Sequence, residues 1–155
     1  MNIYLIRHSK AEPASPNKKD YKRELTQAGL ELINNAANQW RSKINNFDYL
    51  FTSPFIRAVQ TTDAIKNVIT VANEIVVDDL LKPGCKAESI LQIADSLEAD
   101  DIAFVGHQPD MSFIASKLIS SYEVNLKFSP AAIAKISFKE KPKFSKGVLE
   151  FLLPA

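Results

Sequence analysis

Tyr49-Leu50-Phe51-Thr52-Ser53-Pro54-Phe55-Ile56-Arg57-Ala58 passes within ten residues from a β-forming apolar run to the opening of a helix. Tyr49-Leu50-Phe51 reads as a strand. Ser53-Pro54 fits an N-cap with proline at the first helical position, where its missing N–H costs nothing, and the helix is expected to run to about Val68. The same passage recurs on either side. Upstream, Ile3-Tyr4-Leu5-Ile6 reads as a buried strand, followed by a polar loop from Ser9 to Glu24 that holds Lys18, Lys19, Lys22 and Arg23. Thr26 then caps a helix with Leu30, Ile33, Ala37, Trp40 and Ile44 on one apolar stripe. Downstream, Ile75-Val76-Val77 predicts a short strand near an edge, residues 87–98 a helix, and Ile102-Ala103-Phe104-Val105 a fourth strand. Pro109 opens a helix carrying Phe113, Ile114 and Leu118, and Ala132–Phe138 with Val148–Leu153 form a closing β-pair. Such alternation predicts an α/β three-layer sandwich, its largely parallel central sheet flanked by helices.

Composition supports one ordered domain over residues 1–155. Apolar residues make up 46% and charged residues 24%, the average for globular chains, so a disordered or fibrous chain is excluded. Nineteen basic against eighteen acidic residues leave a net charge of +1, which gives no reason to expect nucleic acid or an anionic membrane as partner. No apolar stretch approaches the roughly 18 residues of a membrane span, and the N-terminus is too short in apolar residues for a signal peptide. The lone Cys85 permits no internal disulfide, and the cytoplasm is the expected compartment.

In a parallel sheet the ligand site lies beyond the carboxyl ends of the strands. The chain's two histidines both fall there: His8 after Arg7 at the end of the first strand, and His107 in Val105-Gly106-His107-Gln108-Pro109 at the end of the fourth. Arg57 lies just beyond the second strand. Planar guanidiniums grip phosphate oxygens bidentately, and helix N-termini add N–H groups. A neutral imidazole beside that cradle can attack phosphorus, while a second stabilises the oxygens whose charge the transition state must hold. The pattern predicts phosphoryl transfer through a phosphohistidine, with no cofactor and no metal. Arg57 could alternatively pair with Asp63 or Glu74. A metal held by both histidines and Asp110 is disfavoured by the flanking arginines.

These residues resemble the histidine phosphatase (phosphoglycerate mutase-like) superfamily. Leu5-Ile6-Arg7-His8-Ser9 looks like its RHG signature, Thr52–Thr61 its S-P-x-x-R-A-x-Q-T motif, and Val105-Gly106-His107 its third motif. Arg23-Glu24-Leu25-Thr26-Gln27-Ala28-Gly29 and Gly106-His107-Gln108-Pro109 are most similar to the SixA-type phosphohistidine phosphatases. The resemblance implies His8 as nucleophile, with Arg7, Arg57 and His107 completing the phosphate pocket and Arg23 and Gln108 contacting phosphate or substrate. It further implies a phosphorylated protein partner, a signalling phosphotransfer protein or a sugar-transport carrier.

Two departures stand out. Ser9 replaces the usual glycine, and its hydroxyl can adjust the loop. The acidic residue that follows the third strand in the mutases and broad phosphatases has no clear equivalent in Asp79-Leu80-Leu81-Lys82-Pro83-Gly84. A phosphate ester needs a general acid for its leaving group, whereas an imidazole leaves more readily, so the missing acid favours a P–N substrate. The competing readings are a small-molecule phosphomonoesterase using Asp78, Asp79 or Glu88 as acid, and a non-catalytic module that binds phosphoproteins. Cys85 lacks the arginine six positions on that a cysteine phosphatase needs, that position being Leu91, and both Cys85 and Asp78-Asp79 are expected to face solvent. No G-x-x-x-x-G-K-[ST] loop occurs.

Overall fold

Side-chain alternation along the first strand sorts the molecule into layers. In the computed structural model, which describes residues 1–155, Ile3 and Leu5 enter one apolar core and Tyr4 and Ile6 the other, all four fully or nearly fully buried. The elements run β1 (Asn2–Arg7), α1 (Gln27–Trp40), β2 (Asn46–Thr52), α2 (Ile56–Lys66), β3 (Thr70–Val77), α3 (Ala87–Asp95), β4 (Asp101–Gly106), α4 (Asp110–Ile119), β5 (Ile133–Ser137) and β6 (Val148–Leu153). Sheet order is β3-β2-β4-β1-β5-β6. The β3, β2, β4 and β1 strands pair in parallel, and β5 adds antiparallel to β1 and to β6. One core packs Ile3, Leu5 and Phe104 against Ile90 of α3 and Ile114 of α4; the other packs Ile6 and Val105 against Trp40 of α1 and Ile65 of α2. Each such side chain, fully buried, stabilises the fold by about 1.5–3 kcal/mol. The predicted α/β sandwich and its largely parallel sheet are the observed architecture.

Several local expectations shift. The second helix begins at Ile56 with Phe55 as N-cap, not at Pro54. Ser53 does not cap it: its Oγ accepts the Phe55 N–H at 3.3 Å in a tight turn and faces the site instead. The β3 strand starts five residues before Ile75, at Thr70, because pairing with β2 extends it; it is the sheet edge, as its short apolar run suggested. The α3 helix ends at Asp95, with Ser96 closing its last turn. Ile44 lies beyond the end of α1 though it is buried with the stripe, while Phe113 points outward from α4. Thr26 does cap α1, accepting the Gly29 N–H at 3.0 Å. No helix is long and apolar enough to cross a membrane.

Sheet register assembles the site. The β4 strand lies between β1 and β2, with Arg7 opposite Gly106 and Thr52 opposite Val105. The ladders continue one step further, His8 N–H to the Gly106 carbonyl and Ser53 N–H to the Val105 carbonyl, both at 3.0 Å. His8, His107 and Ser53 therefore emerge side by side from three adjacent strand ends.

Candidate active site

The two imidazoles lie 5.1 Å apart between ring centroids. His8 Nδ1 is 2.7 Å from the Ser9 carbonyl, which can only accept, so Nδ1 carries the proton. Arg57 Nε donates to His8 Nε2 at 3.2 Å, which requires a lone pair there. Both contacts fix one tautomer, with Nε2 as the free base. His107 is 2% exposed and its Nε2 lies 2.8 Å from Ser53 Oγ. The Ser53 hydroxyl also accepts the Phe55 N–H and can either donate to or accept from this nitrogen, so the proton of His107 sits on Nδ1 when Ser53 donates and on Nε2 when Ser53 accepts.

Burial, reinforced by the charges of Arg57, Arg7 and Arg23, outweighs the Ser9 hydrogen bond and pushes His8 down to about 4. Burial, with His8 and Arg57 beside it, pushes His107 down to about 3. Both rings are thus neutral at physiological pH. The expected result is that neither imidazole titrates between pH 8 and 5 when followed by NMR, whereas an ordinary histidine changes charge near 6.5. Stability follows the same groups. The unfolded chain takes up protons first, so their contribution is whole above pH 6.5 and is lost as pH falls through 4 and then 3.

Arg57 is 5% exposed and uses all three of its nitrogens. Besides His8, it donates from one terminal nitrogen to the Asp20 carbonyl at 2.9 Å and from the other to Asp20 Oδ2 at 3.1 Å. Its guanidinium lies over the Phe55 ring at 4.9 Å, and that ring packs edge-on against His107. Arg23 reaches the other Asp20 oxygen at 2.7 Å and the Glu12 carbonyl at 2.7 Å. Arg7 donates to the Phe128 carbonyl at 2.9 Å. Arg7 Nε and His107 Nδ1 are both buried with no hydrogen-bond partner. An unpartnered guanidinium N–H and an unpartnered imidazole nitrogen that can carry a proton, both beside a neutral imidazole, suit an acceptor-only anion such as a phosphoryl group.

Asp20, on a short 3₁₀ turn over Asp20–Lys22, carries no expectation in the sequence, although its position three residues before Arg23 is a signal for a pair. Burial pushes its carboxyl up, but Arg23 and Arg57 outweigh that and hold it below the usual range, so it is a carboxylate. The Phe128 carbonyl is equally unmarked, and Ser53 carries the pattern of a helix cap with no role in the site. Of the other expectations, Asp63 pairs with Lys66 and not with Arg57. Gln108 turns onto α4, its amide meeting the Ser112 hydroxyl at 2.6 Å and the Ser112 N–H at 3.2 Å. Asp110 accepts the Gly84 N–H at 2.7 Å, and no three metal-ligating side chains converge. Asp78 caps Leu80, Asp79 pairs with Lys82 and Glu88 with Lys117. Cys85 is partly buried; burial and then Asp110 and Asp78 push its thiol up to about 12, so it is inert as a nucleophile.

A family model described as the histidine phosphatase superfamily (branch 1) matches residues 3–82, just over half of the chain, including His8, Arg23 and Arg57. No curated protein matches. Among solved structures the chain is similar to the protein histidine phosphatase SixA complexed with tungstate, at a TM-score of 0.85 and 20% identity over 99% of this chain and 97% of that one. It is similar to a structure described as phosphohistidine phosphatase SixA from Agrobacterium tumefaciens, at 0.84 and 24% over 99% and 97%. It is also similar to phosphoserine phosphatase from Entamoeba histolytica in complex with 3-phosphoglyceric acid, at 0.72 and 17% over 99% and 97%. These likenesses establish a shared fold.

Proposed function

The chain belongs to the histidine phosphatase superfamily, and from that premise we propose that it hydrolyses phosphohistidine on a protein through a phospho-His8 intermediate. His8 Nε2 attacks phosphorus in line; the N–P bond to the partner's imidazole breaks as that ring leaves, protonated beforehand at its other nitrogen or by solvent. Arg57 Nε, 3.2 Å from the attacking nitrogen, passes its hydrogen bond to a phosphoryl oxygen as the new bond forms. The unpartnered Arg7 Nε–H, and His107 in the tautomer with its proton on the unpartnered Nδ1, take the remaining charge. Water then opens phospho-His8 and releases phosphate. Guanidiniums supply the positive charge, so the step needs no metal or cofactor.

The observation that carries the P–N substrate is the state of Asp20. It is the one carboxyl in contact with the arginines of the pocket, and those arginines keep it ionised, so it cannot protonate an ester oxygen. Asp78, Asp79 and Glu88, the other candidate acids, are engaged elsewhere. SixA structures among the fold neighbours support the same reading. The partner we propose is a phosphotransfer protein or a sugar-transport carrier, as the family resemblance implies, and the setting we propose is the cytoplasm.

The test compares kcat/KM on a protein phosphorylated on histidine with that on a phosphoserine peptide and an aryl phosphate. The expected preference for the P–N substrate over phosphoserine is at least about 100-fold, the size of a general-acid contribution. Equal or faster turnover of phosphoserine points to a phosphomonoesterase. Tight binding of the phosphoprotein with no phosphate release points to a binding module.

A further inference from the structure

Ser9 follows the nucleophile, is fully buried, and has every polar group engaged. Its carbonyl accepts the Nδ1–H of His8 at 2.7 Å. Its N–H donates to Thr61 Oγ1 at 3.1 Å, and that hydroxyl donates to the Arg57 carbonyl at 2.7 Å. Its own hydroxyl donates to the Gly29 carbonyl in the first turn of α1 at 2.7 Å. One residue thus joins the nucleophile, the helix that carries Arg57, and α1.

The close approach to α1 has a visible cause. A Cβ on Gly29 would lie 2.0 Å from the Lys10 carbonyl oxygen, so only glycine lets the Ser9-Lys10 backbone lie against the helix. The Lys10 carbonyl accepts the Thr26 N–H at 3.0 Å and closes the same junction. Ser9 is not among the residues with positive φ, so a side chain there adds no backbone strain. Glycine, the residue of the signature this segment resembles, can supply the N–H and the carbonyl but not the hydroxyl tether.

We propose that Ser9 is a positioning residue for the nucleophile: its hydroxyl, tied to α1, anchors the carbonyl that holds His8 in the Nδ1–H tautomer with Nε2 free. The reason lies in the ring's choice of proton site. If the carbonyl drifts, the proton can move to Nε2, which then opposes the Arg57 Nε–H donor-to-donor and has no lone pair for phosphorus. Thr61 extends the tether to α2, so the attacking nitrogen and the Arg57 fork keep one spacing. The role rests on His8 being the nucleophile, but the tautomer itself can be read without any substrate.

The test uses ¹⁵N NMR of the His8 ring together with kcat and KM on a phosphohistidine protein, for wild type, Ser9→Gly and Ser9→Ala. Ser9→Gly gives the related signature and is expected to fold; Ser9→Ala removes the hydroxyl without adding backbone freedom. Wild type should show a single Nδ1–H tautomer. Both variants should show a mixed tautomer and a kcat lowered about tenfold with KM nearly unchanged, a small misplacement of a reacting group. An unchanged tautomer overturns the proposal, whether kcat stays at the wild-type level or falls along with thermal stability. Should His8→Ala retain full turnover, the catalytic reading itself falls, and the tautomer result still decides the tether.

Discussion

His8→Ala is expected to release phosphate from a phosphohistidine protein at least about 10⁴-fold more slowly than wild type. The loss is large because no other group on the site can take the nucleophile's part. His107 has its Nε2 engaged by Ser53, and in the proposed step its Nδ1 carries the proton that holds a phosphoryl oxygen, so it offers phosphorus no lone pair. The Cys85 thiol is held un-ionised by burial and neighbouring carboxylates. Phosphate affinity should survive, since Arg7, Arg57 and Arg23 remain, and the variant should still bind a phosphoprotein. That separates the chemical role of His8 from its share in the pocket's charge. The measurement is phosphate release at saturating phosphoprotein, with binding followed in the same samples.

Arg57→Ala should lower kcat/KM by about 10³-fold, within the range of losing a guanidinium that holds transition-state charge on phosphorus. One side chain here does three things at once. It donates to the attacking nitrogen, it anchors the Asp20 turn through both terminal nitrogens, and it lies over Phe55, which packs against His107. Arg57→Lys keeps the charge but offers a single nitrogen, which cannot reach His8 and both Asp20 oxygens in one plane. It should therefore stay about 100-fold below wild type. Steady-state kinetics on the two variants check both figures; a lysine variant close to wild type would mean that charge alone matters.

Asp20 has a further consequence for which phosphoryl group fits. With both imidazoles neutral, the guanidiniums of Arg7, Arg23 and Arg57 together with the Asp20 carboxylate leave two net positive charges around His8. A phosphoryl dianion balances that charge. A carboxylate between Arg23 and Arg57 also lets two like charges sit close in a partly dry pocket.

Much of this was legible from residue order because strand ends are. Short apolar runs closed by Arg7-His8, Thr52-Ser53 and Gly106-His107 put the chemistry on one edge of the sheet before any coordinate does. The layers follow from alternation in Ile3-Tyr4-Leu5-Ile6. Side-chain partners were not legible, since they depend on how loops fold back. Asp20 sits in a basic run that reads as a solvated loop, and only the return of that loop over α2 brings it to Arg57. Ser53-Pro54 carries the pattern of a helix cap, yet the neighbouring β4 end offers its hydroxyl a buried imidazole, and that bond wins over capping. Gln108 likewise follows a catalytic histidine in sequence but turns to the first turn of α4. The length of β3 was hidden because its exposed residues, Asn73 and Glu74 among them, weaken the apolar signal of an edge strand.

The central claim is a covalent bond between phosphorus and His8 Nε2. The direct measurement mixes the protein with a partner carrying ³²P-phosphohistidine, quenches within milliseconds in alkaline denaturant, and maps the label by digestion. The account predicts a transient, alkali-stable and acid-labile label on the peptide holding His8, attached at Nε2, and none on His8→Ala. A label that maps elsewhere, with phosphate release by His8→Ala at the wild-type rate, would contradict it.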